Sequence, residues 1–253
     1  MDFSGNSASE KNENSSRINL ANIKLNKIQE DIMNSIETLN YSLFVDLGGS
    51  EDTDLNFKRK VGSTELYPIM SATAKGSEEM MRLILMNKTV EINQLNESGV
   101  NAFWVACMYG HGGLMKILAD KGINIFCKNN KQVNALHLAV DKNAVGIVEM
   151  LLGSGFPLDC ETDTGMTAFQ LAAYKGHLQI IKVMMDYLSK NCDEEIKNFI
   201  LNKVNPISHL STLAYSILHQ NQEISILLTE FGARTYYDKS DQEKDFSPIF
   251  MAI

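Results

Sequence analysis

The chain has 253 residues, 44% of them apolar, enough for a continuous core in one large domain, two ordinary ones or one elongated array. Its formal charge is −8 and its pI about 5.2. Binding phosphate needs clustered Lys and Arg, so this balance argues against nucleic acid and against an anionic membrane surface.

Residues 1–17 are Ser, Asn, Glu and Lys without periodicity, which predicts a disordered tail and no signal peptide. Residues 18–56 change character. Leu25, Ile28, Ile32, Ile36, Leu39 and Leu43 recur at helical gaps, which predicts one helix over 18–47. Gly48-Gly49 suits a left-handed stop, and 49–56 reads as a turn or hairpin. This segment is expected to cap the apolar face of the next one; a free amphipathic helix that recruits a partner is the alternative.

From residue 57 to 253 one phrase repeats. Asn101-Ala102-Phe103-Trp104-Val105-Ala106 returns as Asn134-Ala135-Leu136-His137-Leu138-Ala139 and as Thr167-Ala168-Phe169-Gln170-Leu171-Ala172, at intervals of 33 residues. An earlier copy opens at Pro68, and a fifth at Ser211 comes after an insert over 189–206. Ile196, Phe199, Ile200 and Val204 in that insert predict an extra helix ending before Pro206. A partial sixth copy opens at Ser247-Pro248. A fixed period of this size marks a stacked repeat array. Each copy reads as a short helix, a tight turn at Gly76, Gly110, Asn143, Gly176 or Gln220, a longer helix, and a stop such as Gly122, Gly155 or Gly232. A small residue recurs in the first helix at Ala72, Ala106, Ala139, Ala172 and Ser216, where neighbouring helices must approach closely. One such hairpin cannot bury its apolar face alone, so stability is shared between neighbours.

No catalytic constellation accompanies this frame. His111, His137 and His177 occupy repeat positions, and His209 and His219 lack an acidic or Cys partner at a useful spacing. Gly110-His111-Gly112-Gly113 resembles an oxyanion loop, but the Gly-x-Ser-x-Gly elbow it would serve is missing. Glu51-Asp52 and Glu194-Glu195 read as solvated. Cys107, Cys127, Cys160 and Cys192 form no Cys-x-x-Cys pair and have no His at a ligand spacing. The expectation is a reduced chain with no metal, no cofactor and no enzymatic activity.

The sequence resembles the ankyrin repeat family, whose unit reads Gly-x-Thr-Pro-Leu-His-x-Ala-Ala-x-x-Gly-His. Gly165 to His177 is the nearest copy, then 132–144 and 99–111. The Pro place is Ala in the three central copies, and the His place is Met70, Trp104, His137, Gln170, Ala214 and Phe250. The resemblance therefore implies that the hydrogen bonds made by the family's His and Thr are mostly absent here. It implies an all-α solenoid of stacked helix-turn-helix units with an N-terminal helical cap.

The resemblance also implies a non-catalytic interaction module or scaffold that binds a protein partner through a concave helix face and loop fingers. The face would present Met108, Tyr109, Asp141, Lys142, Tyr174, Lys175, Leu218 and His219, with Val105, Leu138, Leu171 and Tyr215 beside them. Finger tips would include Asn96-Glu97-Ser98, Lys128, Asn129, Asn130, Lys131 and Thr162-Asp163-Thr164. The plainer alternative is that Tyr109 and Tyr174 only pack against adjacent repeats, and Trp104 is expected to pack. Two other readings stay open. One is a regulatory or targeting segment of a larger enzyme or channel. The other is a permanent subunit of a large assembly, docked through the 18–47 helix and the 189–206 insert. No nucleic acid and no membrane insertion is expected. The expected location is the cytoplasm, with the cytoskeleton as a candidate association.

Overall fold

The computed structural model describes residues 7–48, 53–61 and 64–234. The chain divides into two compact units, Met1–Glu97 and Ser98–Ile253.

In the first unit, α1 (Ser7–Glu37) starts well before the helix expected from residue 18. Residues 7–17 are thus helical rather than a coil tail, and residues 1–6 lie outside the described part. The single helix expected to residue 47 is two. Leu39 takes a positive φ of 54°, and the Asn40 N–H closes back on the Ser35 carbonyl at 2.8 Å. That left-handed closure ends α1. Asn40 then opens α2 (Tyr41–Gly48), its side-chain oxygen accepting the Leu43 N–H at 3.1 Å. Only part of the predicted apolar stripe is covered. Ile32 and Ile36 are buried, whereas Leu25, Ile28 and Leu43 are exposed.

Next comes a short antiparallel hairpin, β1 (Arg59–Val61) on β2 (Thr64–Leu66). The sequence predicts its turn or hairpin earlier; of that stretch, 49–52 lie outside the described residues. The unit closes with α3 (Pro68–Lys75) and α4 (Glu78–Met86), and α1 packs on both α2 and α3.

Among its described residues the second unit holds four helical hairpins. They are α5 (Ala102–Tyr109) with α6 (Gly112–Asp120), α7 (Ala135–Asp141) with α8 (Val145–Gly153), α9 (Ala168–Lys175) with α10 (Leu178–Asn191), and α12 (Thr212–Leu218) with α13 (Gln222–Glu230). The insert supplies α11 (Glu194–Leu201), as its apolar stripe predicts, and α10 runs long into it. The sixth copy opened by Pro248 lies outside the described residues.

First helices stack on first helices: α5 on α7, α7 on α9, α9 on α12. Second helices form the other layer, with α8 on α10 and α10 on α13. The small residues Ala106, Ala139, Ala172 and Ser216 are wholly buried, as are the apolar knobs Leu136 and Phe169. Ser216 is the polar member of its column. Its hydroxyl donates to the Leu213 carbonyl at 2.8 Å and lies 2.8 Å from Ser225 Oγ in α13. The turn residues behave alike whatever their type: Gly110, Asn143, Gly176 and Gln220 all have positive φ, from 54° to 77°. In each turn the next N–H returns to the small residue's carbonyl, for example His111 N to Ala106 O at 2.9 Å. Gly122, Gly155 and Gly232 end second helices in the same left-handed way.

A candidate protein-binding face

Each first helix of the second unit opens on a polar cap. Asn101, Asn134, Thr167 and Ser211 accept the backbone N–H three residues on. The residue receiving that cap does a second job in three of the four copies. Trp104 Nε1–H donates to the Val133 carbonyl at 3.1 Å, His137 Nε2–H to the Met166 carbonyl at 3.1 Å, and Gln170 Nε2–H to the Lys203 carbonyl at 2.8 Å. Each bond ties a first helix to the loop that leads into the next one. These are the bonds expected to be mostly absent. They are made, by three unlike side chains that share an N–H at matching reach. Ala214 has no such group. Thr167 and Gln170 add a reciprocal capping box.

His137 is buried, and its Nδ1 lies 2.7 Å from the Asn134 carboxamide oxygen. Burial holds its pKa down to about 4, so the ring is neutral at ordinary pH. Burial also lowers the pKa of His177, with a further push from Lys175. Burial drives the Cys107 thiol up to about 12, and that thiol donates to the Ala135 carbonyl at 3.2 Å.

The loops between hairpins are fingers pinned to one another. Each closes with a bridge next to the cap: Lys128 with Asn134, Glu161 with Thr167, Val204 with Ser211. Asn130 N–H donates to the Ser98 carbonyl and Asp163 N–H to the Lys131 carbonyl, both at 3.0 Å. A positive φ recurs at Gly99, Gln132, Gly165 and His209.

The exposed ends of the first helices carry the candidate residues. Tyr109, Asp141, Lys142, Tyr174, Lys175 and His219 are exposed; Met108 and Leu218 are half-buried. Lys175 Nζ pairs with Asp141 Oδ1 at 2.7 Å, linking α9 to α7. The Tyr174 ring stands edge-on to His219 at 4.2 Å and to Tyr215 at 6.3 Å. Tyr215 reaches on to the finger, its hydroxyl 2.7 Å from Ser208 Oγ. A continuous path of contacts therefore runs from finger to helix end, and both belong to one face. In the fingers, Asn130 and Lys131 are exposed, whereas Asn129 is half-buried and occupied. Its Oδ1 accepts the Lys131 and Val133 N–H groups, each at 2.9 Å.

One expectation changes. Val105, Leu138 and Tyr215, placed on the exposed face from the repeat alignment, are buried between first helices. A short helix buried on two sides leaves only its last residues free. Nothing in the repeat phrase signals the Ser208–Tyr215 link, because it joins the irregular insert to α12. A further exposed feature lies on the opposite layer. There α11 exposes Ile196 and Phe199 beside a groove of about 360 Å³ lined also by Phe156, Pro157, Tyr187 and Cys192. The sequence marks that stripe as helical and offers the insert as a docking surface under the assembly reading.

Among the described residues, no cluster of three or more His, Cys, Asp or Glu is placed to hold a metal ion. No described helix is long and apolar enough to cross a membrane.

Stacked helical hairpins with polar caps, left-handed turns and a row of fingers define a repeat protein. The chain belongs to the ankyrin repeat family: the model for ankyrin repeats matches over residues 34–129, 69–161 and 136–237. The first match begins inside α1, so the family pattern reaches into the segment expected to be a separate cap. No curated protein sequence matches the chain significantly. Ankyrin repeats are in general protein–protein interaction modules.

Proposed function

We propose that this chain binds a protein partner through the exposed first-helix ends and finger tips of its second unit, as a non-catalytic module or scaffold. The observation that carries this reading is the pair of tyrosines at adjoining places near the ends of α5 and α9, Tyr109 at 53% and Tyr174 at 40% exposure. Both sit on helices fixed by caps and inter-repeat bonds. Large rigid aromatics held in this way lose little entropy on binding and make good hot spots. The four free cysteines, two of them buried, favour a reducing cytoplasmic setting.

The test is affinity capture of the native partner by the full chain and by a Tyr109→Ala, Tyr174→Ala variant. A loss of about 2 kcal/mol or more, roughly thirtyfold in affinity, is expected. Both side chains are exposed, so the melting temperature should hardly move. Unchanged capture of every partner would exclude this face.

A further inference from the structure

The charges of the second unit are sorted by layer. On the first-helix side, Asp141 and Lys175 cancel at 2.7 Å, and Glu161 and Lys203 cancel at 2.7 Å. What remains there is Lys142 at the end of α7 and Lys128 and Lys131 in the finger, against Asp159 and Asp163. Among the described residues none of these three lysines makes an ion pair. The second-helix side is opposite in sign: α6, α8, α10 and α13 with their capping residues carry five carboxylates against four lysines. Lys190 is already held by Asp186 at 2.8 Å.

The lysines are interleaved with aromatic rings. Lys142 occupies the same register place in α7 as Tyr109 in α5, and Tyr174 lies at the end of α9, which packs on α7. Asn130 and Lys131 stand exposed at the finger tip of the same repeat as Lys142.

We propose that the occupant of this face is an acidic segment of a partner protein, with Asp or Glu alternating with apolar or aromatic residues. This rests on the binding face proposed above and adds the chemistry it selects. The carboxylates meet Lys131 and Lys142, and the apolar side chains lie on Tyr109 and Tyr174. The rest of the surface reinforces the choice. A chain of net charge −8 repels an acidic segment everywhere except at a local cationic excess, so the field orients the encounter as well as favouring it. A basic segment would instead be drawn to the second-helix layer.

The experiment uses the full chain and two fluorescent peptides. One alternates Glu with Leu and Tyr; the other has every Glu replaced by Lys. At low salt the acidic peptide should bind about tenfold tighter than the basic one, and its affinity should fall steeply as salt rises. Lys131→Glu with Lys142→Glu should abolish that preference, and Lys142→Glu alone should remove part of it. Glu149→Lys with Glu223→Lys, on the other layer, should change acidic-peptide affinity less than about twofold. All substituted residues are exposed, and melting curves verify the fold of each variant. Equal binding of both peptides overturns the proposal, as does a preference that survives the double lysine variant. If peptide preference fails while the tyrosine variant still loses its native partner, the charge assignment falls and the binding face stands. The reverse pattern removes the face's native role.

Discussion

Replacing His137 by Ala is expected to destabilise the second unit by about 2–4 kcal/mol, read by urea unfolding near neutral pH. The ring is buried, and its Nε2–H ties α7 to the Met166 carbonyl at 3.1 Å. Truncation leaves a cavity and an unpaired carbonyl at the junction of two hairpins. Gln170 makes the equivalent bond one repeat later, so His137→Gln should cost only about 1 kcal/mol. The same residue predicts a pH dependence. The folded pKa is about 4, below the ordinary value near 6.5, because burial disfavours the charged ring. The unfolded chain therefore binds a proton first as pH falls. The stability this neutral ring contributes is complete above about pH 6.5 and is lost progressively down to about 4, by up to about 3 kcal/mol. His137→Gln removes that component, so the gap between wild type and variant should narrow or invert over this window. A gap that stays constant from neutral pH down to about 4.5 would refute the assignment.

Gly165→Ala should cost about 3 kcal/mol, several times more than Gly110→Ala at about 1 kcal/mol. Both glycines have positive φ, 72° and 77°. The difference lies in what an added Cβ would meet. At Gly110 nothing lies within 4 Å. At Gly165 the Pro206 ring carbons lie at 2.7 and 2.8 Å and Asn205 Oδ1 at 3.2 Å. Asn205 cannot yield. Its Nδ2 donates to the Thr164 carbonyl at 3.1 Å, and its Oδ1 accepts the Ile207 and Ser208 N–H groups at 2.8 and 2.9 Å. Equal unfolding free energies for the two variants would show that the insert does not brace this finger.

The repeat phrase makes most of the second unit legible from the chain alone. Period, buried small residue and turn residue all obey local rules, and each repeated copy strengthens the inference. Even Gln220, a poor left-handed residue, takes the turn at φ 56° because the stacked helices on either side dictate it. The N-terminal segment is harder to read. Its stripe shows a helix but not the break at Leu39, since a left-handed Leu has no sequence mark. Nor can the stripe show how far the helix outruns its partners, with Ile23 left 64% exposed.

For the candidate face, alignment finds the exposed helix ends, because the last residues of each first helix share one register from Tyr109 and Lys142 to Lys175 and His219. It misplaces Val105, Leu138 and Tyr215, because periodicity along one helix does not count the neighbours on both sides. It also reads the loss of the family's His as lost hydrogen bonds. Trp104 and Gln170 restore them, and only three-dimensional reach shows that an indole or amide N–H spans the same gap.

The sequence by itself determined the hairpin, its period and its turns, since those depend on backbone conformation and on burial within a few residues of chain. Only the tertiary structure decided which side chains bridge repeats, which lysines make no ion pair among the described residues, and which helix ends are exposed. Those outcomes depend on distances between residues about one repeat or more apart, and linear order does not encode them.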